Sequence, residues 1–260
     1  MITRLEARDF CCLLHTTQDL GRFHVLIGPN ASGKSTFLDA IAFLGHLVSD
    51  GPEEAVARRT QNFHDLVWER SESSFSLAIE LAIPAELTEV HGRRFETVRY
   101  EVVLGLHPQS GEISLFSETV SLAPGGARVV HKTPADNDVF TSEIPADDWT
   151  STFALGPSQS ALANLPHDTT KFPIATWLKD VLRGGIHSLS LSSPRLRRAS
   201  PPGRSRRHLL SDGSNSRGWW PSSSNTTLNG STDGSRICAQ HCPISKASVA
   251  SNGRTTGTAI

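Results

Sequence analysis

The chain has one methionine, one tyrosine and four cysteines among 260 residues, and its formal charge is only −1. Cysteines at positions 11, 12, 238 and 242 are too few and too unevenly placed for a disulfide framework, so a reducing compartment is expected. The balanced charge gives no whole-chain pull toward nucleic acid or a membrane surface. No apolar run approaches the roughly 20 residues of a membrane span, and the Met-Ile-Thr-Arg start shows no signal-peptide core. A soluble cytoplasmic protein with no membrane partner is therefore expected. One scarcity is local: beyond Asn215 the only acidic residue is Asp233, and glutamate is missing.

The front of the chain is rich in periodic pattern. Residues 2–10 and 13–20 read as short strands, and 23–27 (FHVLI) as a compact buried strand. A glycine-rich turn leads to a predicted helix over 34–48, with Leu38, Ile41, Ala42, Gly45 and Val48 sharing one face. Asp50-Gly51-Pro52 stops it. Residues 54–67 read as a short helix and a loop. The period then changes to two, with Phe75, Leu77, Ile79, Leu81 and Ile83, followed by Val98, Tyr100, Val102, Leu104 and Leu106. Turns at 107–111 and 125–126 carry the pattern through 112–122 and 128–130, an antiparallel meander. Residues 134–171 read as loops with a short helix near 158–165. A second helix is predicted over 173–183 with a stripe of Ile174, Trp177, Leu178, Val181 and Leu182, then a strand over 186–191.

The chemistry lies in HVLIGPNASGKSTFLDAI. Gly28, Gly33, Lys34 and Ser35 fit the spacing G-x-x-x-x-G-K-[ST], with an apolar run entering and an amphipathic helix leaving. Glycines let successive backbone N–H groups turn inward as an anion nest, and the helix N-terminus adds partial positive charge at the same point. Lys34 would reach the β- and γ-phosphates of ATP, Ser35 would ligate Mg²⁺, and Thr36 would contact the α-phosphate. Pro29, Asn30, Ala31 and Ser32 complete the binding loop.

GPNASGKST near the start, preceded by two short strands and followed by a meander, resembles the ABC-type ATPases of the SMC, RecF and predicted AAA kind. The likeness covers residues 1–215 and is strongest over 1–50. It implies an α/β P-loop fold with an antiparallel meander and part of a helical lobe. It also implies ATP and Mg²⁺ as cofactors, and head-to-head pairing of two copies in intact relatives. DNA is a partner of some relatives, but nothing in this chain's charge supports it. The family's later parts are a signature segment, an apolar strand ending in Asp-Glu and a switch histidine. No apolar run after Lys34 ends in Asp-Glu, and Ser211-Asp212-Gly213 is only a weak echo of the signature. Binding chemistry is present and hydrolysis chemistry is missing, so Lys34 is the sole catalytic candidate.

Other clusters have simpler readings. Arg195, Arg197, Arg198, Arg204, Arg206 and Arg207 read as a solvated loop, and Cys238, His241 and Cys242 lack a partner pair for a metal. Cys11 and Cys12 read as small packing residues, and Gln61 as a surface residue rather than a nucleotide-linking glutamine. After Asn215 the sequence SRGWWPSSSN begins a Ser/Thr-rich stretch with little to bury. Tryptophan has a single codon, so Trp219-Trp220-Pro221 read one base earlier must give Val then Ala; one permitted reverse translation gives LPWVVAVVEQ. A frameshift near residue 216 is therefore expected, with 1–210 the N-terminal part of the ATPase domain and 211–260 a low-complexity, out-of-frame tail. Two alternatives stand beside this reading. One is a nucleotide-dependent interaction module with a functional tail. The other is a transporter's nucleotide-binding subunit, for which Phe10 is the nearest adenine-stacking candidate.

Overall fold

The computed structural model describes residues 1–70, 73–90, 92–133, 138–143, 150–153, 155–166, 168–190, 192–198, 210, 212, 214 and 215. The tail after Asn215, Arg204, Arg206, Arg207 and the Cys238–His241–Cys242 group lie outside the described residues. The chain divides into two units, Met1–Ser188 and Leu189–Ile260.

The first unit is mixed α/β. Strands β1 (Ile2–Phe10), β2 (Leu13–Asp19) and β3 (Ser74–Ala82) join β6 (Thr97–Leu106), β7 (Ile113–Ala123) and β8 (Ala127–Lys132). With β9 (Asp138–Thr141) and β10 (Thr150–Phe153) they form one sheet in the order β10-β9-β8-β7-β6-β3-β1-β2. Neighbours run antiparallel throughout. A two-stranded ribbon, β4 (Glu89–Val90) and β5 (Arg93–Arg94), sits between β3 and β6 in sequence. The expected meander is thus observed.

Alternation decides which face is buried. Phe75, Leu77, Ile79 and Leu81 pair with Leu104, Val102, Tyr100 and Val98, and all eight are buried on the same face. The opposite face is charged. There Arg99 bonds Glu6 at 2.7 Å, Glu80 at 3.1 Å and Glu101 at 3.1 Å. The Arg99 guanidinium holds the Glu6 carboxyl below the usual range. One face packed and one face polar is the usual solution for an antiparallel sheet.

Helix α1 (Lys34–Asp50) lies on the apolar face, followed by α2 (Pro52–Ala57). Four phenylalanines fasten this layer. Phe75 of β3 stands 5.0 Å from Phe10, 5.4 Å from Phe43 of α1 and 5.7 Å from Phe63, ring centre to ring centre. Such pairs add stabilisation beyond the area they bury. The buried side of α1 is Phe37, Ala40, Phe43, Leu44, Gly45, Leu47 and Val48, which keeps Gly45 and Val48 of the predicted stripe and corrects the rest. Leu38 is 59% exposed and Ile41 only half-buried. Because α1 is apolar almost all round, its sequence does not define one stripe, and packing against the sheet selects the face.

Four further expectations change. Residues 23–27 are not a strand: they pair with nothing among the described residues and are largely exposed. Residues 186–190 are likewise without regular structure, and 158–165 form turns rather than a helix. The second helix, α3 (Pro173–Asp180), ends earlier than predicted and widens into one π-turn, Val181–Gly185.

Two buried carboxylates tie the far end together. Glu118 of β7 accepts hydrogen bonds from Tyr100 Oη at 2.9 Å, Ser160 Oγ at 2.7 Å, and the backbone N–H groups of Ala161 at 2.6 Å and Leu162 at 3.2 Å. Burial raises its pKa despite these donors. Glu143 caps α3, accepting from the N–H groups of Ile174 and Ala175 at 2.8 Å each, and burial pushes its carboxyl up to about 7. In the second unit, the short helix α4 (Ser193–Leu196) places Arg195 in an ion pair with Asp212.

Candidate functional site

The site is built from the turn before α1 and the first turn of that helix. Gly33 has φ +85°, a left-handed conformation that lets the chain leave the loop and enter the helix; Ala31 is also left-handed at φ +64°. Phe37 N–H donates to the Gly33 carbonyl at 2.8 Å, the first bond of the helix. No side chain caps this N-terminus and no acidic residue lies in its first turn. The positive end of a 17-residue helix therefore faces outward at the loop, unneutralised.

The loop curls around Lys34. Its Nζ donates to the Gly28 carbonyl at 2.9 Å, the Pro29 carbonyl at 2.5 Å and Ser32 Oγ at 3.3 Å. A Cβ on residue 28 would lie 2.8 Å from Ser32 Oγ, so a side chain there would require the serine hydroxyl to rotate away. Gly28, Pro29, Asn30, Ala31 and Ser35 are exposed, while Ser32, Gly33, Lys34 and Thr36 are half-buried. All nine predicted residues thus form one contiguous, accessible loop, with an ammonium coordinated by neutral oxygens at its centre.

The turn between β1 and β2 also reaches this loop. Cys12 Sγ donates to Thr36 Oγ1 at 3.3 Å, and a Cβ on residue 33 would meet both Cys12 Sγ and Leu13 Cδ2 at 3.3 Å. Sequence reading treated Cys12 as a packing residue. Its contact is set by the register Phe10↔Leu13, which leaves Cys11 and Cys12 as the hairpin tip. Burial pushes the neighbouring Cys11 thiol up to about 11.

Behind the loop, Arg59 binds Asp39 of α1 bidentately at 2.6 and 2.7 Å and donates to the Ala55 carbonyl at 2.7 Å. Its guanidinium lies 4.9 Å from the Phe43 ring centre. These contacts make Arg59 a brace between α1 and α2. Burial, reinforced by the Arg59 charge, lowers the pKa of His46 beside it. Gln61 is exposed in the bend after α2.

The loop residues fit a nucleotide phosphate: an uncapped helix N-terminus, a left-handed glycine at its entry, and a lysine within the curl. For a metal, Ser35 is the candidate ligand. Among the described residues no group of three or more His, Cys, Asp or Glu could hold an ion alone. No helix among them is long and apolar enough to cross a membrane.

Comparison with known proteins gives a partial match. No curated protein matches the chain. An SMC ATPase structure, from work on ATP-driven dimerization and DNA stimulated activation, is 21% identical over 49% of this chain and 70% of its own, with a TM-score of 0.35. An SMC head bound to the C-terminal winged-helix domain of ScpA is 22% identical, with a TM-score of 0.34. That match covers 49% of this chain, which spans little more than a third (36%) of the SMC head. Residues 23–118, from the segment entering the loop to the middle of the sheet, match the family model described as AAA domain, putative AbiEii toxin, Type IV TA system.

Proposed function

We propose that this chain is a P-loop ATP-binding domain of the AAA and SMC-like kind, taking the triphosphate of MgATP on residues 28–36. The supporting observation is the uncapped, acid-free N-terminus of α1 closing a glycine loop around Lys34. The N–H groups of the first helical turn point along the axis toward any anion placed there, and phosphate oxygens are the anions that this geometry suits. Lys34 would exchange the Gly28 and Pro29 carbonyls for charged phosphate oxygens, which make stronger partners than neutral ones. Ser35 would hold Mg²⁺ together with those oxygens, and the bound ion would supply neutralisation of phosphate charge. Thr36 would turn its hydroxyl, now shared with Cys12, toward the α-phosphate.

The reading is of binding rather than rapid turnover, because no apolar run after Lys34 ends in Asp-Glu. Pairing of two nucleotide-loaded copies belongs to the same proposal, as does a cytoplasmic location. DNA has no support in this chain's charge. The discriminating experiment compares ATP, AMP and adenosine by equilibrium titration in the presence of Mg²⁺. A phosphate-reading loop binds ATP and loses most of its affinity for AMP and adenosine. Equal affinity for all three would refute the proposal.

A further inference from the structure

The tip of the β1–β2 hairpin is held more firmly than an exposed turn requires. Phe10 is buried against Phe43 and Phe75 and bridges to Val67, and the Cys11 N–H donates to the Leu66 carbonyl at 2.8 Å. On either side of Phe10, Asp9 and Cys11 are left-handed at φ +56° and +52°. Residues other than glycine adopt that conformation at a cost, so the surrounding contacts maintain it. The anchored backbone sets Cys12 against the phosphate loop. Its sulfur lies 3.3 Å from Thr36 Oγ1 and 3.3 Å from the place a Cβ on Gly33 would occupy. The Thr36 side chain makes no other hydrogen bond among the described residues. A threonine hydroxyl has one proton and two lone pairs. Because its oxygen accepts from the Cys12 S–H, its own proton is uncommitted and turned away from the sulfur.

We infer that Cys12 is a positioning residue of the phosphate loop, acting through Thr36. Its S–H fixes the Thr36 oxygen as an acceptor, which leaves the O–H to donate to a phosphate oxygen of the bound nucleotide. The inference rests on the nucleotide reading of residues 28–36 and adds what orients one of its donors. With nucleotide bound, the chain of bonds runs from the Cys12 S–H to the Thr36 oxygen, and from the Thr36 O–H to phosphate. Consecutive bonds in one direction polarise each other, and the charged oxygen at the end is a stronger acceptor than a neutral one. Without the S–H, the hydroxyl rotates freely in the empty loop and must be ordered when nucleotide arrives. A thiol is a weak donor, so the contribution of Cys12 is modest and is felt only while Thr36 has a hydroxyl to orient.

A double-mutant cycle read by calorimetric titration of MgATP separates this role from simple packing against Gly33. Cys12→Ala should weaken binding about threefold, and Thr36→Val about tenfold. If Cys12 acts through Thr36, the double variant should bind no more weakly than Thr36→Val alone. Independent packing would instead multiply the losses to about thirtyfold. Cys12→Ser supplies a stronger donor at the same place and should bind at least as tightly as wild type. Cys12 is exposed and valine is close to threonine in size, so the variants should keep the native far-ultraviolet circular dichroism. Unchanged binding by Cys12→Ala, a multiplicative loss in the double variant, or Cys12→Ser as weak as Cys12→Ala would each overturn the inference. Lys34→Ala keeps the two proposals apart. If wild type binds MgATP and Lys34→Ala does not, a failed cycle refutes the role of Cys12 alone. If folded wild type does not bind, both proposals fall.

Discussion

The buried carboxylate of Glu143 should give this protein a stability that falls as pH rises through neutrality. Its side chain caps α3 through two 2.8 Å bonds, and burial pushes it from an ordinary 4.5 to about 7. Below about pH 4.5 the carboxyl is protonated in both folded and unfolded chains, and its contribution is fully present. Between about 4.5 and 7 the unfolded chain releases the proton while the folded chain retains it, so the folded state loses ground. At about 1.36 kcal/mol per pH unit, the difference amounts to about 3 kcal/mol. Glu143→Gln keeps an oxygen for the helix N–H groups and removes the ionisation. Urea unfolding of both chains from pH 4.5 to 8 measures the effect. The variant, with one oxygen for two N–H groups, should start about 1 kcal/mol below wild type at the acidic end and gain about 3 kcal/mol on it by pH 8, ending about 2 kcal/mol above it. Glu118 shares the sign of the effect and remains in both chains, so the difference between them isolates Glu143. A difference that does not change with pH, or that favours wild type at pH 8, would refute the reasoning.

Phe75→Ala removes the ring that touches Phe10, Phe43 and Phe63, and should destabilise the first unit by about 3–5 kcal/mol in urea unfolding. Gly33→Ala forces a Cβ into a left-handed position 3.3 Å from Cys12 and Leu13, and should cost about 1–2 kcal/mol while weakening ATP binding. Glu118→Ala leaves Ser160, Ala161 and Leu162 without their shared acceptor and should cost about 3 kcal/mol or more, visible as a lower urea midpoint.

The meander was legible because an antiparallel strand with one wet face writes its pairing into a period of two. The same parity carried a signal for Glu118, which shares the inward side of β7 with Val120 and Leu122. Sequence reading passed over it because the partners that satisfy a buried carboxylate come from residues 160–162, some forty positions away. Residues 23–27 and 186–190 misled for the opposite reason. An apolar run shows readiness to pair, but a strand exists only with a neighbour, and the described residues offer none there. Strands β9 and β10 are four residues each and lack clear alternation, so they were missed. The curl of residues 28–36 around Lys34 was legible, since it depends on the local geometry of nine consecutive residues. The Cys12 contact was not, because it depends on where a hairpin turn comes to rest.

Isothermal titration of MgATP into the wild-type chain and Lys34→Ala tests the central claim most directly. The account predicts saturable binding by wild type and at least a tenfold loss in the variant, equivalent to about 1.4 kcal/mol or more. Undiminished binding by Lys34→Ala, or no binding by a folded wild-type chain, would contradict it.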